Sequence, residues 1–422
     1  MVYPQPLKKL CFCLEFIGYV NFNRFQKPWQ NKCMTIYCNT MHILGLIAIA
    51  SHLISTITRA RRYMPEFFQR LFEDLGFNLY YMECLIFKWN YERLNNLMTC
   101  MENKFSTVNS NVVRECQRKE KCIFYGFLVL AACTMGATMI EACLPLSQKE
   151  LDILAFVYQR KNPERKLPSN FWIPYIDDSV SWYYEILFLC QFYMGYLIVI
   201  MATVTMTTIP LIVTHLEGQY IILCQNIMDI SRPGPNDYVI NKLEKNKPNK
   251  LKRLRQIVTQ RKLYQQRYCR LLVQFHQKLL RFQDEMYQFY SPNMFIKIFI
   301  NNLMFALCLY QLVLSSTSMS NARRYKMFAQ FMAIGSQYFY LCICSETLDD
   351  CNTKIERAIG NSGWYTCSAQ IRRDLCMILR RVQRPNHLRF YQGMIVISLI
   401  YFLRVIKISY SMVNFMRMKG AA

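Results

Sequence analysis

The chain has no Asn-x-Ser/Thr sequon, so nothing in it marks a glycosylated outer loop. It is short of acid: 27 Asp and Glu stand against 51 Lys and Arg, for a net charge of +24. Its five His (His42, His52, His215, His276, His387) do not cluster at metal-ligand spacing. Cys11-Phe12-Cys13 and Cys342-Ile343-Cys344 are too tightly spaced for a zinc knuckle and have no His nearby. The 19 Cys are an odd number, and most lie in apolar stretches or cytoplasmic-looking loops, which argues against a disulfide framework. There is no glycine-rich phosphate loop and no activated Ser. The first residues, Met1-Val2-Tyr3-Pro4-Gln5-Pro6, lack the basic-then-apolar pattern of a cleavable signal peptide. These absences exclude the common enzyme classes, and the reading expects no catalytic residue, no metal and no cofactor.

What the chain has is apolar length. Seven stretches, at 36–57, 71–87, 122–144, 182–213, 295–315, 328–345 and 390–412, approach or exceed the roughly 20 apolar residues that cross a bilayer. The mean hydropathy of only +0.06 reflects alternation of these spans with strongly polar connections. The pattern predicts an all-α, seven-transmembrane-helix protein in contact with membrane lipid. The basic residues sit in loops beside spans, where they set orientation, so no nucleic-acid partner is expected. Lys and Arg of the N-terminal tail and of the second, fourth and sixth loops outnumber those on the other side roughly two to one. The positive-inside rule therefore places the N-terminus in the cytoplasm and the C-terminus outside. That is opposite to a G-protein-coupled receptor, and neither Asp-Arg-Tyr after span three nor Asn-Pro-x-x-Tyr in span seven is present.

The fourth loop is composite. Residues 231–237 form a Pro/Gly turn, and 242–250 are basic and poor in apolar residues. From Leu251 to Phe282 apolar residues return at helical spacing and lead into span five, with Pro292 placed to kink the junction. Residues 371–382 form a second amphipathic segment with Leu375, Ile378 and Leu379 on one face. With the extension of span four at 216–220, these segments are expected to form a cytoplasmic helical anchor. The expected organisation is a cytoplasmic segment at 1–35, spans one to four at 36–213, a cytoplasmic extension and mobile basic loop at 214–294, spans five and six at 295–345, an anchor segment at 346–389, and span seven with a short outer tail at 390–422.

The C-terminal 85 residues carry an ordered set: Glu346, Asn361-Ser362-Gly363-Trp364-Tyr365, Leu375, Leu379-Arg380-Arg381, Arg384-Pro385, Leu388, Gly393 and Ser409-Tyr410-Ser411. With His215-Leu216-Glu217 at the exit from span four, this set resembles the insect odorant receptors. The ending differs from that of the shared co-receptor, Orco, and resembles a ligand-tuned subunit. The resemblance implies an odorant-gated, non-selective cation channel in the plasma membrane of olfactory neurons. It also implies a heterotetramer with the co-receptor, with span seven lining the pore. Aligning Tyr410 with the family tyrosine places Val413, Met416 and Arg417 at the outer narrowing. The alternatives are a gustatory-type homomeric channel and, from another class, a transporter; no inverted repeat supports the latter.

A volatile odorant needs an apolar, aromatic concavity with a few polar groups. The outer span halves, where the resemblance places the odorant, offer Leu71, Leu75, Asn78 and Leu79 in span two and Thr134, Met135, Thr138 and Met139 in span three. Span four adds Tyr183, Leu187, Phe188 and Gln191, and span six Phe328, Phe331 and Met332. Asn78, Thr138, Tyr183 and Gln191 are the expected polar handles, able to donate to an ester, alcohol or carbonyl oxygen.

Overall fold

The computed structural model describes residues 5–21, 27–103, 105, 110–173, 177–231, 250–314 and 320–420. These form eleven α-helices in chain order: α1 (Gln5–Phe16), α2 (Pro28–Thr58), α3 (Met64–Trp89), α4 (Tyr91–Asn103), α5 (Ser110–Cys143), α6 (Gln148–Tyr158), α7 (Ser181–Met228), α8 (Lys250–Leu314), α9 (Asn321–Asn361), α10 (Ala369–Val382) and α11 (Leu399–Gly420). The expected spans fall on α2, α3, α5, α7, α8, α9 and α11. Local chemistry sets several boundaries. Pro28 opens α2 at a position where the missing N–H costs nothing. Ser147 and Glu150 cap α6 reciprocally.

Five of the seven, α2, α5, α7, α8 and α9, are long and apolar enough over their described residues to cross a membrane on composition alone. Helix α3 is not among them, because it buries Glu66, Arg70, Glu73, Asp74 and Glu83. Charges in such a setting survive only when paired inside the bundle, and those of α3 are paired.

Helix α7 has 48 residues and α8 has 65. At 1.5 Å per residue they are about 72 and 98 Å long, far more than the roughly 30 Å of hydrocarbon. Their surplus projects to one side, where it meets the end of α9 and helix α10. Leu216, Tyr220, Leu272, Leu279, Phe282, Leu348, Ile355, Leu375 and Ile378 share one continuous core there. The expected amphipathic segments thus pack on one another within a single chain. Side chains of 251–262 and the basic loop at 232–249 lie outside the described residues. Helix α8 runs through Pro292, whose carbonyl accepts the Tyr391 hydroxyl at 3.2 Å.

Span seven starts later than the sequence suggested, at Leu399 rather than Phe390. Residues before it form a short antiparallel hairpin, β1 (Arg389–Phe390) and β2 (Ile395–Val396), with Arg389 opposite Val396. The turn needs left-handed backbone at Tyr391 (φ 51°) and Gly393 (φ 94°). Ser345 of α9 holds the hairpin from both sides: its Oγ accepts the Leu388 N–H at 2.9 Å and donates to the Ile397 carbonyl at 2.6 Å. The chain then turns into α11, whose first N–H, on Leu399, donates to Glu346 of α9 at 3.0 Å.

Candidate ligand cavity

A cavity of about 160 Å³ lies between α2, α3, α5, α7, α8 and α9, on the side of the bundle expected to face outward. Small residues make the room: Gly45 and Ala48 on α2, Gly76 on α3, Ala131 on α5, Gly195 and Ala202 on α7, and Ala333 on α9. Gly195 shows the tightness. A Cβ there would stand 2.6 Å from Met139 Cε and 3.0 Å from Met135 Sδ. Thioethers supply much of the wall, through Met135, Met139, Met194, Met201, Met206 and Met304, and such side chains refill irregular space easily. Tyr19, Phe72, Phe77, Tyr80, Tyr81 and Phe171 add aromatic surface. An engineered apolar cavity of roughly 150 Å³ holds a benzene, so the space suits a molecule built on one ring or a short chain.

The outer roof is a strap at 166–172, connecting α6 to α7. It is tied down at several points. Lys166 Nζ pairs with Glu141 of α5 at 2.5 Å. The Ser169 N–H donates to Gln191 Oε1 at 2.8 Å. Arg160 donates to the Asn170 side chain at 3.1 Å and pairs with Asp178 at 2.5 Å. Ser51 and Trp172 exchange hydrogen bonds, Ser51 Oγ to the Trp172 carbonyl at 2.7 Å and Trp172 N–H to the Ser51 carbonyl at 3.4 Å. Phe171 stacks edge-on against His52 at 5.7 Å.

One wall residue, Glu73, joins the cavity to a buried ionic cluster. Its carboxylate takes Arg70 and Lys326, each at 2.7 Å, and stands 3.5 Å from His52 Nε2. His52 Nδ1 is 2.5 Å from Asp74. Lys326 also reaches Glu141 at 3.0 Å, while Glu66 gathers Arg70, Arg323 and the Tyr158 hydroxyl within 2.8 Å. Helices α2, α3, α5 and α9 and the strap are thereby cross-linked by charge. The cluster pairs Glu66, Glu73 and Asp74 of α3, and Lys297 of α8 pairs Glu83 outside it.

Five of the residues expected at the site line the cavity: Thr134, Met135, Thr138, Met139 and Gln191. The other ten do not. On α3 the lining residues are Phe72, Glu73, Gly76, Phe77, Tyr80 and Tyr81. Leu71 and Leu75 are turned by one residue, about 100° of helix, and pack with Phe72, Met304 and Phe305 in a separate apolar cluster. Leu79 is buried elsewhere, and Asn78 donates to the Asp74 carbonyl of its own helix at 2.8 Å. On α7, Tyr183 stacks on Trp182 at 4.2 Å, Phe188 lies 6.0 Å from Tyr184, and Leu187 stays outside the wall. On α9, Phe328 and Met332 face outward, Phe331 packs on Phe305, and Gln330, Ala333 and Ile334 take the lining positions. Contributions from Tyr19, α2 and the strap carried no signal beyond the clustering of small residues. At the end of α11, Val413 is buried against its own chain (2% exposed), and the side chains of Met416 and Arg417 lie outside the described ones.

The model of the 7tm odorant receptor family matches residues 63–410. No curated protein matches the chain. Among solved structures, the insect olfactory receptor OR5 from Machilis hrabei in complex with eugenol is similar, with a TM-score of 0.74 at 14% identity over 97% of both chains. A second structure of the same receptor gives a TM-score of 0.73, again at 14% identity over 97% of both chains. At that identity the likeness carries the fold.

Proposed function

The chain belongs to the odorant receptor family, and from that premise we propose that it is a ligand-tuned subunit of an odorant-gated cation channel. Membership makes it a multi-pass membrane receptor rather than an enzyme. The proposal adds a small, neutral, mostly apolar volatile as ligand, the cavity as its site, and the co-receptor as partner in a heterotetramer of the olfactory neuron membrane.

The cavity is the observation that carries this reading. It is apolar, aromatic and methionine-rich, closed by a tethered strap, and sized for a volatile. A structurally similar receptor has been solved with eugenol, itself a small aromatic. The cytoplasmic packing of α7 to α10 supplies a rigid base from which α11 is aimed. Binding must favour the open state by differential affinity to gate it, and the ionic cluster gives the wall stiff connections to several spans.

The test is current recording from cells expressing the chain with and without the co-receptor, over a volatile panel. Filling the cavity by Gly195→Val or Thr138→Phe should shift odorant potency at least tenfold. Currents driven by a co-receptor agonist should be unchanged. Unshifted potency in both variants would remove the cavity as the site. Full currents without the co-receptor would remove the heteromer.

A further inference from the structure

Gln191 on α7 is 5% exposed, and the two ends of its amide meet different surroundings. Oε1 accepts the Ser169 N–H at 2.8 Å. Nε2 is buried and has no hydrogen-bond partner among the described residues. The two ends of an amide can be exchanged only when no neighbour dictates the choice. Here a neighbour does. A backbone N–H can only donate, so the oxygen must face Ser169 and the NH2 must face away from it.

Ser169 cannot readily release that oxygen. Its neighbours on the strap are held by Glu141, Arg160 and Ser51, as described above. The donor is therefore fixed in direction before any ligand arrives. The other expected handles differ. Thr134 and Thr138 direct their hydroxyl hydrogens to carbonyls of their own helix, at 2.7 and 3.0 Å. Asn78 does the same, and Tyr183 is not in the wall. Phenols such as Tyr80 turn about the C–O bond and can donate or accept; the Gln191 nitrogen can only donate.

We infer that Gln191 is the specificity-determining residue of the cavity, selecting odorants with a hydrogen-bond-accepting oxygen over hydrocarbons of the same shape. The inference rests on the reading of the cavity as the odorant site. A hydrocarbon in the cavity leaves the buried NH2 unpaired, whereas a carbonyl, ether or hydroxyl oxygen pairs it. The difference corresponds to about 10- to 100-fold in affinity.

The test uses the full-length receptor in membranes and three probes of one skeleton: ethylbenzene, 1-phenylethanol and acetophenone. Thermal stabilisation at graded concentrations gives each Kd by linkage. In the native chain, acetophenone and 1-phenylethanol should bind about 10- to 100-fold tighter than ethylbenzene. Gln191→Met, close in volume, should bring the three within about threefold, mainly by weakening the oxygenated pair. Gln191→Leu should do the same, and melting without probe reports whether each variant folds. Thr138→Phe should abolish stabilisation by all three. A ratio that survives in Gln191→Met and Gln191→Leu, while Thr138→Phe still abolishes binding, overturns the inference and leaves the cavity reading standing. Probes that stabilise Thr138→Phe as well as the native chain, or that fail to stabilise the native chain at all, overturn both.

Discussion

Glu73 is the residue at which recognition and architecture meet. One part of its side chain lines the cavity, and its oxygens are held by Arg70 and Lys326. A buried pair of this kind adds little net stability over an apolar substitute, but removing one partner leaves a charge stranded. Lys326→Met takes one of two cationic partners from each of Glu73 and Glu141, leaving Arg70 and Lys166 in place, and should cost about 1–3 kcal/mol. Thermal unfolding of the solubilised receptor would show it, with Lys149→Met on the exposed start of α6 as the control that changes nothing. His276, on the part of α8 beyond the membrane, gives a second residue-scale expectation. It is buried, and burial, with Arg381 adding repulsion, lowers its pKa from 6.5 to about 4. The unfolded chain then binds a proton near pH 6.5 that the folded chain refuses until about pH 4. This contribution is therefore complete above pH 6.5 and is lost as pH falls toward 4. Over that range His276 should account for roughly 3 kcal/mol of acid destabilisation. His276→Leu should flatten that part of a stability–pH curve, and an unchanged slope would reject the assignment.

At the scale of elements, amphipathic periodicity marked the helical segments outside the spans, and α10 buries Leu375 and Ile378 on the apolar face that the sequence suggested. Positive-inside counting gave an orientation. Helix α3 was harder. Its apolar residues Leu71 and Leu75 suggested a ligand-facing stripe, but they meet α8. The charged stripe faces inward because partners from α5, α9 and the strap neutralise it, and sequence periodicity holds no information on partners brought by other elements. On α5 the four expected residues, Thr134, Met135, Thr138 and Met139, all line the cavity, since they share one helix face with no competing charge. Glu346 shows the same division. Its place in the family motif was readable, and its task was not: it accepts the first N–H of α11 from across the bundle. A carboxylate at a helix N-terminus satisfies an orphan donor and complements the dipole. Glu346→Ala should therefore destabilise the start of α11 by about 1 kcal/mol, while Glu346→Gln keeps an acceptor and loses less. Because α11 is the proposed pore helix, the expected readout is a shift in agonist concentration dependence at unchanged cavity affinity. A shift in probe affinity instead would place the effect at the cavity.

The whole molecule sets a geometric condition on conduction. Helix α11 has two faces: Val405, Ser409 and Val413 are buried at i, i+4 spacing, and α11 packs on α8 and α9. The opposite stripe, Arg404, Lys407, Ser411, Phe415 and Met418, is exposed on the single chain. An ion path shared between subunits can be lined only from a face that the subunit's own bundle does not cover. Val413, where the resemblance places the outer narrowing, is buried on the single chain, and Ser411 is exposed on the opposite stripe. Introduced cysteines distinguish the two, with the native chain and its own cysteines as background. In receptors co-expressed with the co-receptor, Ser411→Cys should react with a small charged thiol reagent applied from outside. The reaction should be faster in odorant and should lower the current. Val413→Cys should react no faster than background in either state, because it is buried in its own chain. Equal rates at the two positions would mean that α11 rotates or separates from the bundle on opening. Reaction at Val413→Cys alone would remove the exposed stripe from the ion path and restore the assignment drawn from the alignment.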